Sequence, residues 1–357
     1  MLINHTRLTD IATGIMAAAG APEDKARLVA EHLVEANLKG HDSHGVGMVE
    51  SYVRSMLRGL VQPQKDVELL ADNGAILSFD GGEGLGRVVG MQAMEQGIAR
   101  AKETGICCVA LGNASHLGRI GKFGERCADE GMVSMHYVNV VGHDPLVVAY
   151  GGRDRRFGTN PFCCVVPRVD GKHVVLDMAT TTVAAGKVRV AFMKGLEVPD
   201  HALVNSEGVA SNDPSLIFDP GDKPGAMTPL GLHKGYGLMV MCELLGGALG
   251  GQWTLQPEHE RKGSVINNML SIIIDPDKVG ARECFQDEVS EMLSFIYASE
   301  PATGVDSVMI PGDPERKRMA ELLETGIDVD QNSWDVMLAS GEKAGFGADR
   351  IEAILNH

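Results

Sequence analysis

The strand-like segments of this chain do not alternate with helices at even spacing, and that irregularity limits the fold more than any single motif. VELLAD and AILSFDG come first, separated by Asn73-Gly74, a two-residue hairpin signal. A helix is expected over 87–104, then the strand ICCVALG, a helix over 120–130 and the strand MVSMHYVNVV. FGTNPFCCVVP and KHVVLDMAT read as two further strands with no helix between them. A helix over 186–193 follows. HKGYGLMVMCELLGGALGG reads as one long apolar helix whose small residues permit close packing, and SVINNMLSIIIDP as part strand. A parallel doubly wound sheet needs a crossover helix after each strand, so a mixed sheet fits this order better.

Both ends of the chain read as helical. Thr9 is placed to cap a helix through Ala19, which Gly20 would close. Pro22-Glu23-Asp24 opens a second helix, with its acids at the positive end of the dipole. Val29, Leu33 and Ala36 give that helix a buried stripe, and it ends at Lys39-Gly40. A third helix is expected over 48–57, and the C-terminal stretch returns to helix. The fold class is therefore α/β of the mixed α+β kind: a helical start, a mixed body and a helical tail.

Composition narrows the partners. A net charge of −16 argues against nucleic acid, whose phosphates call for basic patches. Aromatics make up only 4% while glycines number 44, so the core must be aliphatic and the turns many. The seven cysteines include adjacent pairs inside the apolar runs ICCVAL and PFCCVVP. They read as buried thiols in a reducing compartment. The start MLINHTRLTDIATG lacks a basic-then-apolar leader, and no run approaches the ~18 apolar residues of a membrane helix. A cytoplasmic protein with no membrane partner is expected.

The chemistry concentrates first at His41, Asp42, Ser43 and His44, set between Gly40 and Gly45. Such a bend could hold a metal, a nucleophile with its base, a proton shuttle, or be only a turn. Sequence neighbours seldom point at each other, so Ser43 and His44 make an unpromising nucleophile pair, and no G-x-S-x-G surrounds them. Zinc would need His116, His143 or Asp144 to join His41, Asp42 and His44 through long-range folding; no metal is expected. Gly84, Gly86 and Gly90 mimic a dinucleotide fingerprint, but the next strand ends in LGNASH, without the acid that reads a ribose. ATTTVAAGKV lacks the first glycine of a phosphate loop and the hydroxyl after Lys187.

Polar clusters at element ends form a more coherent set. They are HDSH at 41–44, Asn113, Ser115, His116 and Arg119, the GTNP at 158–161, the LDMAT at 176–180, Gly186-Lys187, and His233-Lys234-Gly235-Tyr236. Histidine, lysine and arginine among glycine backbone suit an anionic substrate and a pyrophosphate, and histidine carries protons near neutral pH.

In this order the clusters resemble the type 2 malate/L-lactate dehydrogenase family over nearly the whole chain. GHDSHGVGM with HLGRIG is most similar to the hydroxycarboxylate dehydrogenase B branch. The resemblance implies a non-Rossmann fold: a helical domain from both chain ends (1–70 plus 315–357) and a mixed α/β cofactor-binding domain (71–314). It implies an oxidoreductase acting between NAD or NADP and a small 2-oxo or 2-hydroxy acid, assembled as a homodimer or higher homo-oligomer with its sites near the interface. His44 takes the family's catalytic place as proton donor to the oxo oxygen. Ser43 is expected to orient it and His116 to line the pocket. Cofactor contacts carry over to His44, Gly118, Arg119, Ile120, Val175, Leu176, Asp177, Met178, Ala179, His233, Asn267, Gly312, Asp313, Pro314 and Glu315.

Many members carry an arginine four residues after that histidine, where this chain has Met48. The substrate carboxylate must then be held otherwise, by Arg119 or Arg54, or by Lys187 or Arg189. Thr159 is a further substrate candidate. An apolar Met48 suits a larger or aromatic 2-substituent. The alternatives are a cyclic imine reductase using the same cofactor and proton site, a metal-dependent hydrolase, and a dinucleotide-binding protein without turnover.

Overall fold

The computed structural model describes residues 1–251, 253–280 and 282–356. The chain opens with three helices, α1 (His5–Ala18), α2 (Glu23–Leu38) and α3 (Val49–Leu57). The first starts earlier than its sequence suggests. Asn4 is the cap, its side chain accepting from Thr6 N, while the Thr9 hydroxyl donates back to His5 O at 2.8 Å from inside the helix. Asn4 is as good a cap as threonine and comes first in the chain.

The main sheet has seven strands: β1 (Glu68–Asn73), β2 (Ile76–Asp80), β3 (Ile106–Ser115), β4 (Val133–Val141), β5 (Phe162–Val166), β6 (Val174–Met178) and β7 (Ile266–Ile274). Their order is β1-β2-β3-β7-β4-β5-β6. Only β2 and β3 pair in parallel; the helix between them, α4 (Gly86–Thr104), makes that crossover. Every other pair is antiparallel, so the sheet is mixed. Late in sequence, β7 sits centrally because INNMLSIII is almost wholly buried and needs cover on both faces.

A second sheet of five short strands (Ala210–Ser211, Leu203–Val204, Ala226–Met227, Val147–Val148 and Arg155–Phe157, in that order) lies over a separate apolar cluster around Val188, Leu203 and Met239. Strands this short carry no readable alternation, and the sequence does not announce them.

Three further helices position the site: α5 (Gly121–Asp129), α6 (Ala185–Lys194) and α7 (His233–Cys242). The apolar run after His233 is not one α-helix. From Glu243 to Gly251 it widens into π-helical turns. The Glu243 carboxylate is drawn into the core, accepting from Asn160 Nδ2 at 2.7 Å and Leu255 N at 2.7 Å. Gly251 presses so close to β7 that a Cβ there would stand 2.1 Å from Asn268 Cβ.

The tail is α8 (Asp313–Thr325), α9 (Gln331–Ala344) and α10 (Ala348–Asn356). One cluster joins Leu8, Ile11, Ile15 and Leu33 from the start of the chain to Leu322, Trp334, Met337 and Ile351 from its end. Leu2–Ile3 pairs antiparallel with Ile327–Asp328 beside it. Among the described residues no helix is long and apolar enough to cross a membrane.

Candidate active site

The HDSH bend is a single 3-10 turn, Asp42–His44, stapled from α2. Asn37 Nδ2 donates to Asp42 Oδ1 at 2.6 Å, and Asn37 Oδ1 accepts from Val46 N at 2.8 Å. A Cβ at Gly45 would lie 2.2 Å from that amide oxygen, so glycine is required there. Asp42 thus holds the turn, and His41 Nε2 reaches Glu315 Oε1 at 3.2 Å. Among the described residues, no three His, Cys, Asp or Glu side chains gather where a metal could sit.

Ser43 and His44 do meet although they are neighbours in sequence: Ser43 Oγ lies 3.1 Å from His44 Nδ1, as a residue that orients the ring would. The tight turn folds the two side chains together. Gly186, in the first turn of α6, packs on them, since a Cβ there would stand 2.5 Å from Ser43 Cβ. His116 follows β3 and stacks on His44, with ring centroids 5.5 Å apart and planes 15° from parallel. Its Nδ1 is 2.7 Å from Tyr52 OH on α3.

Burial dominates the electrostatics. It pushes His44 down to about 3, with Arg87, His41 and Arg119 adding to the shift. Burial, then His44, Arg87 and His143, holds His116 well below the ordinary histidine value. Both rings are neutral at neutral pH, each with its Nδ1 engaged.

A second group of expected residues forms a rim beside this pair. Gly121 N donates to Asp177 Oδ2 at 2.7 Å, Val175 N donates to Pro311 O at 3.1 Å, and Gly312 packs on Val175. With His41 on Glu315, these links join the segment 118–121, the end of β6 at 175–179 and the start of α8 at 312–315. Asp313 is itself occupied, accepting from Tyr297 OH and Arg316.

Other candidates take different places. Asn267 is buried; its Oδ1 accepts from Leu117 N and its Nδ2 donates to Asn139 O, both at 2.9 Å, pinning the segment after His116 to β7. His233 stands exposed at the start of α7 with its ring 5.9 Å from Tyr150. Thr159 is half-buried and lends its carbonyl to Thr180 N. Met48 packs half-buried against the helical cluster.

Arg119 is not free to grip a carboxylate. Its side chain is 1% exposed and contacts Glu125, with Glu35 at 3.6 Å and Asp177 at 3.8 Å. The resemblance put Arg119 at the site, and the sequence does not show that Glu35 and Asp177, from distant segments, join Glu125 around it. Arg54, the other arginine considered, pairs with Glu50 on α3 at 2.8 Å. Lys187 and Arg189 remain, both exposed on α6.

One residue escaped sequence reading altogether. Arg87, next to the glycines of the failed fingerprint, is 1% exposed. Its Nη2 donates to His44 O at 2.7 Å and its Nε to Tyr52 OH at 3.1 Å. Its basic side chain so near the HDSH turn is evident only in three dimensions.

Comparison with known proteins gives the family. A malate/L-lactate dehydrogenase family model matches residues 3–338. Hydroxycarboxylate dehydrogenase B of Escherichia coli K12 is 40% identical over 336 residues, covering 94% of this chain and 92% of that protein. A solved E. coli structure, provisionally assigned as a malate/lactate dehydrogenase, superposes with a TM-score of 0.95 at 37% identity over 100% of both chains. A Δ1-piperideine-2-carboxylate reductase from Pseudomonas syringae pvar. tomato superposes with a TM-score of 0.82 at 27% identity, over 95% of this chain and 99% of its own length. Sequence and fold agree: the chain belongs to the malate/L-lactate dehydrogenase family of oxidoreductases.

Proposed function

We propose that this protein interconverts a 2-oxo acid and its 2-hydroxy acid with a nicotinamide dinucleotide, NAD or NADP, and that His44 carries the proton. The observation that carries the reading is the His44 ring. It is neutral, half-buried, held at Nδ1 by Ser43 and stacked on a second histidine. Toward oxidation, His44 accepts the hydroxyl proton as the free base. Toward reduction, the arriving carboxylate favours the imidazolium, so the proton donor forms with the substrate in place. When bound, the dinucleotide supplies or takes the hydride.

The rim suits such a cofactor. Asp177 and Glu315 offer carboxylates to hydroxyl groups, and the glycines at 118, 121 and 312 let Arg87, Arg119 and Arg316 pack against the backbone that holds this rim. Lys187, beside the Gly186 that packs on Ser43, holds the substrate carboxylate in this reading. Lys187→Met raises KM for the 2-oxo acid about 10- to 100-fold, the worth of a charge-assisted hydrogen bond. The dissociation constant for the reduced dinucleotide, followed by fluorescence titration, stays unchanged.

The assembly proposed is a homodimer. Leu232, Met241, Leu244 and Leu249 stand exposed from the start of α7 through the turns after it, apolar side chains that a second copy would cover. The second reading is a cyclic imine reductase, favoured by the likeness to the piperideine-carboxylate enzyme and by the apolar Met48.

The test is oxidation of NADH and of NADPH against a panel of 2-oxo acids, small and aromatic, beside pyrroline- and piperideine-carboxylates. Turnover with oxo acids and none with imines supports the proposal. Turnover with imines alone replaces it by the second reading.

A further inference from the structure

Arg87 is a buried cation without a counter-ion. Among the described residues no carboxylate lies within ion-pair distance of it, whereas Arg119 nearby has three. It also sits in the first turn of α4, at the positive end of the helix dipole. Its Nη1 has no hydrogen-bond partner, and it borders a cavity of about 10 Å³ with Tyr52, Ser115 and His116, room for one water. Every one of these features is unfavourable for stability. The chain nonetheless makes way for the guanidinium: Gly118, at φ +79°, would carry a Cβ only 2.6 Å from Arg87 Cζ.

What the guanidinium touches is the proton-transferring pair. It donates to the main-chain carbonyl of His44 and, through Nε, to the Tyr52 hydroxyl that bonds His116 Nδ1. The direction of this chain follows from donor counting. A guanidinium only donates, so the Tyr52 oxygen accepts from Arg87. Besides Arg87, only His116 Nδ1 lies within hydrogen-bond distance of the Tyr52 hydroxyl among the described residues, at 2.7 Å, and the phenolic proton is assigned to it. In that assignment Nδ1 accepts and the proton of the neutral ring sits on Nε2, for which no protein partner exists among the described residues.

We propose that Arg87 is a positioning residue which, through Tyr52, locks His116 as an Nε2–H hydrogen-bond donor to the substrate's oxygen, leaving proton transfer to His44 alone. The two stacked histidines then have different tasks: His116 supplies a fixed dipole, and His44 exchanges the proton. The proposal deepens the function proposed above and rests on it for the identity of the oxygen.

The experiment is nitrogen-15 spectroscopy of histidine-labelled full-length protein, with the His116 signals assigned by a His116→Asn variant. The expected result is a single Nε2–H tautomer in the unsubstituted protein. In Tyr52→Phe and in Arg87→Met the Nδ1 partner is lost or released, and the tautomers mix. Both variants lose about 10- to 100-fold in kcat/KM for 2-oxo acid reduction, mostly in kcat. Should Arg87→Met fold poorly, Tyr52→Phe carries the test, because it keeps the ring and removes one oxygen. A proton on Nδ1 of His116 overturns the proposal, as does a Tyr52→Phe protein unchanged in both tautomer and kcat/KM. A chain that keeps the Nε2–H tautomer but turns over no oxo acid refutes the function and leaves the positioning role standing.

Discussion

Replacing His44 by alanine lowers kcat/KM for 2-oxo acid reduction by about 10²- to 10⁴-fold, the usual worth of a general acid–base group. Binding of the reduced dinucleotide survives the change. The reason lies in how the turn is held: Arg87 grips the main-chain carbonyl of His44, and Asn37 staples Asp42 and Val46. None of these bonds uses the imidazole, so the 3-10 turn and Ser43 remain in place. What disappears is the ring that stacks on His116 and the nitrogen that exchanges a proton. Steady-state kinetics beside a fluorescence titration of NADH separate the two effects. A variant retaining full turnover would remove His44 from the chemistry, whatever the family of the protein.

Loss of stability in mild acid is the second large effect. Four histidines are held neutral inside the fold. Burial pushes His44 and His136 down to about 3 and holds His32 and His116 well below the ordinary value of 6.5. In the unfolded chain all four titrate near 6.5, so the unfolded state takes up protons first as the pH falls. Stability is whole above that value and is lost as the pH drops from 6.5 toward 3. Each such group contributes a slope of about 1.4 kcal/mol per pH unit, and four together about 5.

The paired carboxylates act in a lower window. Glu35, buried but set between Lys39 and Lys122, is lowered to about 2 and matters only below its ordinary 4.5. Urea midpoints measured between pH 7 and pH 5 therefore isolate the histidines. His136→Gln, at a ring bonded to Ser134 and Ser271, removes about one quarter of the slope. A stability profile flat across that range would contradict the neutral, buried histidines.

Much of the scaffold is legible in the chain where the signals are local. Pro22-Glu23-Asp24 opens α2, Lys39-Gly40 closes it, and the expected hairpin joins β1 to β2, though Asn73 pairs with Ile76 and the two loop residues are Gly74-Ala75, one place later than Asn73-Gly74. The fingerprint at Gly84, Gly86 and Gly90 fails for a physical reason. Gly86 is there to let α4 approach the main chain of Ser115 and His116, where a Cβ would stand 2.1 Å from Ser115 O.

What depends on distant partners is not legible. Arg87 meets Tyr52 and His44 across 35 and 43 residues, and Arg119 meets Glu35 and Asp177 from opposite sides. A sequence shows that an arginine is present but not whether acids surround it, so Arg119 reads as a candidate for the substrate carboxylate while Arg87 goes unnoticed. The π-helical turns at Glu243 escaped for the same reason, because their cause is a carboxylate reaching Asn160 in another segment.

The joining of the two chain ends has a consequence for synthesis. Leu8, Ile11 and Ile15 are shielded by Trp334, Met337 and Ile351, and the terminal ammonium of Met1 donates to Val329 O at 2.8 Å. A nascent chain leaving the ribosome cannot close this core until its last helices have emerged. Throughout elongation the first helices wait with their apolar stripe wet, while the central sheet, whose strands lie between them, is free to form once β7 is out. These helices are thus among the last to be buried, and the cell must keep them from other chains in the meantime.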